Sequence, residues 1–270
     1  MTSPKHQIRE LIEKIDKRTP KVYMGDSPED EKKYILHNQD RFLAAIGELD
    51  NLPLTKKQFS ILDIGTSPFT LLLKKRYPKA KITTLDYSNR FRSLVTKKGI
   101  KFIKKDLNDP KLVLPSNRYD VITFLEVLEH LKGDHNKILN QIIKSLKKGG
   151  ICILQTPNKY APKGLILTSP LALRFWDLFT KRPHKGEEEK HSEFIHFKEY
   201  SLSELKNLLN KTSNIYILEA KHDTYFDTVA SSMVYRTQQW TKLLAQVNFL
   251  LSSQIPIMRR GMQFVFRKDA

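Results

Sequence analysis

The chain has 270 residues, 40% of them apolar, which is enough to bury one full hydrophobic core. Its single cysteine, Cys152, excludes a disulfide framework and a cluster of thiolate metal ligands, and its apolar neighbours predict a buried strand residue. No apolar run approaches the roughly 20 residues that span a bilayer, and the first residues are charged rather than signal-like. We therefore expect a cytoplasmic protein whose contact with the inner membrane surface is at most peripheral.

The formal net charge is +18, an excess that is typical of proteins with phosphate-rich partners such as nucleic acid, anionic lipid or nucleotide-linked substrates. The segment from Lys74 to Lys105 contains twelve Lys or Arg residues and one acidic residue, Asp86. The same pattern is also typical of a solvated face that binds nothing. Charge alone leaves both interpretations open.

From about residue 60, short apolar runs alternate with helical patterns, which is typical of βαβ units on a parallel sheet. The first four strands are predicted at FSILDIG, KITTLD, IKFIKKD and YDVITFLE. Helices are predicted after Pro68 and over SNRFRSLVTKK. The sequence therefore predicts an α/β fold.

The clearest helix follows the fourth strand, with Asp134 as its candidate N-cap and residues 147–149 as its expected end. A fifth strand, ICILQTPN, comes next, and Ser201 and Glu204 have the spacing of a capping box at the start of a later helix. Two last strands, NIYILEA and GMQFVFR, flank a helical pattern from about residue 228 to 251.

Informative residues lie where the predicted strands end, because ligands of an open parallel sheet bind outside the carboxyl ends of its strands. Gly65 permits a sharp turn close to a ligand, and Pro68 suits the first position of a helix. Asp86, about twenty positions on, is placed to accept both hydroxyls of an adenosine ribose. Because a G-x-G-x-x-G turn and a Gly-Lys-Ser/Thr loop are both missing, a dehydrogenase and a P-loop hydrolase are disfavoured.

Taken together, ILDIGTSPFT, TLD, KKDL, YDVITFLEVLEHL and LKKGGICILQTPN resemble the ordered motifs of class I S-adenosylmethionine (SAM) dependent methyltransferases. The resemblance covers about residues 60–158 and implies SAM as cofactor. It also implies a Rossmann-like, mostly parallel sheet of seven strands in the order 3-2-1-4-5-7-6, with the last strand antiparallel and helices on both faces.

The resemblance assigns cofactor residues to each strand end. Asp63 and Gly65 would line the methionine part of SAM, Asp86 would bind the ribose with Tyr87 beside it, Asp106 and Leu107 would flank the adenine, and Leu125 and Glu126 would border the methyl group.

The first loop departs from the family pattern, because it reads Asp-Ile-Gly-Thr-Ser-Pro-Phe where relatives have D-x-G-x-G-x-G. Thr66 and Ser67 are expected to replace the missing glycines by offering hydroxyls to the cofactor carboxylate. Because of these missing glycines, a second hypothesis stays open, in which the chain has the SAM-binding fold and binds a ligand without catalysing methyl transfer.

Methyl transfer to an oxygen also requires the loss of a proton, and a histidine suits this task because its pKa lies near neutrality. His130, just beyond the fourth strand, is the first candidate base, His191 and His196 are weaker ones, and Glu126 is a second catalytic candidate.

The segment from Glu126 to His130 also raises the question of a metal. If it is helical, Glu126, Glu129 and His130 project from one face and form a candidate site for a divalent cation. The E-x-x-E-H pattern is similar to one associated with a metal in ubiquinone-pathway O-methyltransferases and small-RNA terminal ribose methyltransferases. It also occurs in relatives with no known metal, so SAM alone is the favoured cofactor set.

Three regions are predicted from this resemblance. Residues 1–58 would form a helical cap, residues 59–158 the SAM-binding core, and residues 159–270 an acceptor-side half that completes the same sheet. This last region resembles the acceptor halves of methyltransferases in quinone and cell-envelope glycan pathways, with a lid loop over 181–193. The helix predicted at 228–251 is a candidate for contact with an anionic membrane, or else for core packing or a dimer seam.

A small or lipid- or glycan-linked acceptor, methylated at oxygen, is therefore the favoured substrate class. RNA is the main alternative because of the charge, but Asp-Pro-Pro-Tyr, Asn-Pro-Pro-Tyr and Pro-Cys motifs are missing, which leaves ribose methylation as the form it would take. The oligomeric state is not predicted.

Overall fold

A computed structural model describes residues 2–13, 28–52, 58–161, 196–212, 214–223, 254–259 and 261–269 of the chain. The predicted lid loop at 181–193, the predicted helix at 228–251 and His191 lie outside the described residues, and the division into three regions stays a prediction. Within the described residues, no helix combines the length and the apolar character needed to cross a membrane.

Seven strands form one sheet in the order β3-β2-β1-β4-β5-β7-β6, as the resemblance implies. Neighbouring strands from β3 to β5 pair in parallel, and β7 is antiparallel to both β5 and β6. The strands are β1 (Ser60–Ile64), β2 (Lys81–Asp86), β3 (Lys101–Lys104), β4 (Tyr119–Leu125), β5 (Leu146–Pro157), β6 (Ile215–Asp223) and β7 (Gly261–Lys268). The sheet prediction is therefore confirmed.

Six α-helices are described, together with two single turns of 3₁₀ helix, Leu128–His130 and Pro256–Met258. The helices are α1 (Pro4–Glu13), α2 (Pro28–Asn51), α3 (Pro68–Arg76), α4 (Arg92–Thr96), α5 (His135–Ser145) and α6 (Leu202–Asn210).

Apolar side chains are buried on both faces of the sheet, because successive strand residues point to opposite faces. On one face, strand residues such as Leu62 and Phe124 pack in one cluster with the apolar stripes of α5 and α6. On the other face, residues such as Ile61 and Val121 pack with α1, α2, α3 and α4. Cys152 is fully buried in the first cluster, as its apolar neighbours predict, and burial raises the pKa of its thiol.

Three helix starts follow their sequence signals. Ser67 caps α3, with Pro68 at the first helical position, and Asp134 caps α5 by accepting the amides of Asn136 and Lys137. At α6, Ser201 accepts the Glu204 amide while the Glu204 carboxylate accepts the Ser201 amide at 2.8 Å. These caps fix where the helices leave the carboxyl edge of the sheet.

Two predicted boundaries are wrong. The helix expected over residues 88–98 is shorter, because the Ser88 and Arg90 amides bond to side chains within the turn and α4 starts only at Arg92. Residues 147–149, expected to end α5, instead belong to β5, where Leu146 is fully buried and pairs with Tyr119.

Candidate functional site

The turn after β1 lies close to the ends of β2 and β4. The Gly65 amide donates to the Leu85 carbonyl of β2 at 2.9 Å, and its φ of 84° is in the left-handed region that glycine adopts without strain. A Cβ at this position would lie 2.5 Å from Cγ2 of Val127. Because glycine has no side chain, a space remains between the first loop and the residues that follow β4.

Asp63 lies beneath this turn and is 1% exposed. Its carboxylate accepts the hydroxyls of Thr70, at 2.5 Å, and Thr123, at 2.7 Å, so it joins β1 to the start of α3 and to β4. Burial raises the pKa of Asp63 to about 6, against the opposing effect of these two hydrogen bonds. Asp63 thus shapes the loop from below, a role that the assignment to the methionine part of SAM does not describe.

Asp86 ends β2 and faces the same loop. One carboxylate oxygen accepts the Thr66 amide at 3.0 Å, and the other accepts the Ser88 amide at 2.9 Å. An ionised carboxylate accepts hydrogen bonds only, which is the chemistry that binding the hydroxyls of a ribose requires. Tyr87, the next residue, has 54% of its surface exposed and presents an aromatic ring beside the carboxylate.

The hydroxyls of Thr66 and Ser67 already have partners. Thr66 is buried and its hydroxyl pairs with that of Thr84 at 2.9 Å. Ser67 Oγ accepts the Phe69 amide, which leaves its own proton for donation to a ligand. Of the two residues, Ser67 is therefore the better placed to meet a cofactor carboxylate.

Beyond β3, Asp106 and Leu107 differ in exposure. Asp106 is exposed and accepts the backbone amide of Asn108 at 2.8 Å and its side-chain amide at 3.1 Å. Leu107 is 5% exposed and belongs to the core cluster under this edge. Asp106 therefore presents a carboxylate at the surface, whereas Leu107 supports this edge from the core.

The chain after β4 is not the helix that would place Glu126, Glu129 and His130 on one face. Glu126 has a φ of 54°, its amide donates to the Gln155 carbonyl of β5 at 2.9 Å, and only Leu128–His130 forms a helical turn. Leu125, one residue before, is 9% exposed. The left-handed conformation of Glu126 turns the chain, so the helical spacing that would place Glu126, Glu129 and His130 on one face does not apply.

Glu129 is fully buried at the end of this turn. Its Oε2 accepts the Thr156 hydroxyl at 3.0 Å, whereas no described residue forms a hydrogen bond with Oε1. Burial, and secondarily the nearby Glu126 carboxyl, raise the pKa of Glu129 well above its usual range.

His130 and His196 meet beside Glu129. His130 Nε2 lies 3.7 Å from Glu129 Oε1, and the two imidazole rings are in edge contact with centroids 4.9 Å apart. His196 Nδ1 lies 2.5 Å from Glu199 Oε1, and the Phe197 amide donates to the Glu129 carbonyl at 2.7 Å. The group that the structure brings together is therefore Glu129, His130 and His196.

Sequence reasoning did not find Thr156 or Glu199. Glu199 follows His196 by three residues, a spacing that signals a local His–carboxylate pair, but nothing in the sequence links this segment to the end of β4. The structure makes that link by a bridge between Asn158 and Tyr200, which holds the segment against the end of β5.

A groove of about 550 Å³ opens beside this segment, between it and α6. Its lining includes Lys159, Phe197, Glu199 and Tyr200, so it combines aromatic surface with charged groups of both signs. The volume is in the range of small-molecule sites.

The chain resembles known methyltransferases in sequence. A model of the methyltransferase-domain family matches residues 31–218. The trans-aconitate 2-methyltransferase of Azoarcus sp. (strain BH72) is 27% identical over 134 residues, which are 48% of this chain and 51% of that protein. The chain thus spans about half the length of this curated relative.

Solved structures share the fold. The plantazolicin methyltransferase BpumL, in complex with a triazolic desmethylPZN analog and SAH, superposes with a TM-score of 0.54 at 18% identity, covering 98% of this chain and 99% of that one. An S-adenosylmethionine dependent methyltransferase from Mesorhizobium loti gives a TM-score of 0.53 at 15% identity, covering 84% and 97%.

Proposed function

This chain belongs to the methyltransferase-domain family, and we propose that it is a class I SAM-dependent methyltransferase. We propose further that it methylates an oxygen atom of a small molecule, free or linked to a lipid or glycan. The observation that carries this proposal is the placement, at one edge of the sheet, of the Asp86 carboxylate and the imidazole pair His130 and His196.

The residues at the ends of β1, β2 and β3 fit SAM. Asp86 would bind the ribose hydroxyls through its carboxylate, with Tyr87 at its side, and the exposed Asp106 with Leu107 would flank the adenine. The turn at Gly65 leaves space that a side chain would fill. The methionine part would lie there, against Thr66 and Ser67.

The residues after β4 suit the part of the site where the methyl group of SAM would meet the acceptor. SAM supplies a methyl group on a positively charged sulfur, so the protein has mainly to align the acceptor and exclude water. The acceptor oxygen forms a bond to the methyl carbon, the carbon–sulfur bond breaks with its electron pair on sulfur, and the acceptor's proton leaves. Leu125 would border the methyl group, and we assign the departing proton to the groups around Glu126 and His130.

A small acceptor is supported by the groove of about 550 Å³ beside His196 and by the name of the Azoarcus relative, whose acceptor is a small organic acid. The imidazoles favour an oxygen acceptor, because a hydroxyl must lose a proton and groups with a pKa near neutrality are suited to take part in that step.

Calorimetry with SAM tests the cofactor half of the proposal. Saturable binding to the whole chain is expected, whereas no heat at millimolar SAM would contradict an enzyme and favour a SAM-fold protein without catalysis.

A transfer assay with tritiated-methyl SAM tests the acceptor half, using host lysate separated into small-metabolite, lipid, RNA and protein pools. Label in the small-metabolite or lipid pool is expected. It should be released as methyl iodide by hydriodic acid under conditions that cleave O-methyl groups and leave N-methyl groups intact. Label confined to RNA or protein would contradict the proposal.

A further inference from the structure

The ligand-bearing atoms of Glu129, His130 and His196 all lie within 4.8 Å of one another. Two of them, His130 Nε2 and Glu129 Oε1, are 3.7 Å apart. Ligand atoms around a tetrahedral cation with bonds of about 2.0–2.2 Å are themselves separated by roughly 3.5 Å. Small rotations of these three side chains would therefore place one cation between them.

A second observation points to a ligand at the same place. Glu129 is 0% exposed, and its Oε1 forms no hydrogen bond with any residue in the described part of the chain. His130 Nε2, at 3.7 Å, is too distant for a hydrogen bond, and the nearby Glu126 carboxyl is an acidic group like Glu129 rather than a cation. A buried carboxylate oxygen without a partner is costly, and a cation between Glu129 and the imidazoles would satisfy it.

The surrounding contacts orient these side chains as metal ligands are commonly oriented. Glu199 binds Nδ1 of His196 at 2.5 Å, which leaves Nε2 as the nitrogen available to bind a cation. Thr156 holds the other oxygen of Glu129 at 3.0 Å. The Phe197 amide, bonded to the Glu129 carbonyl, ties the two ligand-bearing segments together.

We propose that Glu129, His130 and His196 bind one divalent transition metal ion, with Glu199 as the residue that positions His196. Two imidazole nitrogens and one carboxylate oxygen suit Zn²⁺ and its neighbours Co²⁺ and Fe²⁺ rather than Mg²⁺ or Ca²⁺, which favour oxygen ligands. Three protein ligands leave a position open, as in catalytic rather than structural zinc sites.

The role of the ion in the reaction rests on the proposed function, whereas its binding does not. A bound ion would lower the pKa of an acceptor hydroxyl. His130 is then a ligand and not the group that takes the proton.

Metal binding is measured on the full chain after dialysis against EDTA, without SAM, by titration with Co²⁺ followed by visible absorption and with Zn²⁺ followed by calorimetry. One ion per chain is expected. His196→Ala and Glu129→Gln should each weaken binding at least 100-fold, and Glu199→Gln about 10-fold, because partners of ligands typically contribute 10- to 100-fold in affinity.

The matched control is His6→Ala. His6 lies 3.3 Å from Glu10 on α1 with a largely exposed side chain, so it forms a His–carboxylate pair outside the cluster. This variant should bind Co²⁺ and Zn²⁺ like the unmodified protein. Thermal melting of each variant without metal separates a lost ligand from a lost fold.

The proposed site is overturned if the unmodified protein binds neither ion or if His196→Ala binds as tightly as His6→Ala. The role of the ion in the reaction is overturned if the EDTA-treated enzyme transfers methyl groups at the full rate. The last result would leave His130 itself as the base. If the ions bind but SAM does not, the metal site stands and the methyltransferase proposal fails, so the two are separately testable.

Discussion

The candidate site has a cofactor end, at the ends of β1, β2 and β3, and an acceptor end, around Glu129, His130 and His196. The two ends differ in how they are assembled. At the cofactor end, the bonds join residues close in the chain or on adjacent strands, as when Asp86 binds the amides of Ser88 and Thr66. At the acceptor end they join distant segments, as when Glu129 meets Thr156 and His130 meets His196. The cofactor end is thus set by the core of the sheet, whereas the acceptor end depends on how a later segment docks.

The largest expected effect separates transfer from cofactor binding. His130→Ala should lower the rate of methyl transfer by about 10²- to 10⁴-fold. The side chain would either take the proton itself or hold the ion that acidifies the acceptor hydroxyl. The variant's affinity for SAM should stay unchanged, because the side chain lies at the acceptor end. Single-turnover transfer and calorimetry on the same preparation measure the two properties.

A variant of His130 that transfers at the normal rate would remove this residue from the mechanism. A His130 variant that also loses SAM binding would show that the cofactor end and the acceptor end are not independent. That result would contradict the contrast drawn between the two ends.

Asp86→Ala should have the next largest effect, at the cofactor end. Two charge-assisted hydrogen bonds to the ribose, each contributing about 1.5–3 kcal/mol, predict a loss of SAM affinity of roughly 10³-fold. Calorimetry measures this loss. Asp106→Ala is the control at the neighbouring strand end, where the carboxylate is exposed and the expected loss is smaller.

Because Asp86 also accepts the amides of Thr66 and Ser88, part of the loss would come from a displaced loop. Asp86→Asn retains one acceptor oxygen and should bind SAM with intermediate affinity. Equal affinity for Asp86→Ala and the unmodified chain would remove Asp86 from the cofactor site.

The same contrast explains what the sequence could predict. The strand order, the Gly65 turn and the Asp86 carboxylate follow from local patterns, since each strand end carries its own signal. The pair of His130 and His196 does not, because no periodicity relates residues on segments joined only by tertiary contacts. The condition that Glu126 to His130 be helical, on which their placement on one face depended, is not met for a local reason, because the left-handed φ of Glu126 breaks the helical spacing.

A pH-dependent effect is expected at Asp63, which lies under the cofactor loop. Its pKa of about 6 in the folded protein exceeds the usual carboxyl value of about 3.9, so between these two pH values the folded state holds more protons than the unfolded chain. The free energy of unfolding contributed by Asp63 is thus fully present below pH 4 and declines as the pH rises through 6, by on the order of 3 kcal/mol.

Urea unfolding of the unmodified chain and of Asp63→Asn, at several pH values from 4 to 7, measures this contribution. Asparagine cannot ionise, so the decline attributed to Asp63 should be missing from the variant, and the difference between the two proteins should change with pH. A constant difference across this range would show that Asp63 does not titrate there.

The smallest expected effect concerns Gly65, the turn that makes room for the cofactor. Gly65→Ala should destabilise the fold by about 2 kcal/mol, since its φ of 84° is unfavourable for alanine and its Cβ would meet Cγ2 of Val127. Val127→Ala in the same chain removes the contact but not the backbone strain. In a thermal melt the double variant should therefore lose less stability than the sum of the two single variants, and it should bind SAM more tightly than Gly65→Ala does. Strictly additive effects of the two substitutions would show that Gly65 and Val127 do not meet, and that the first loop lies farther from the acceptor end than the structure places it.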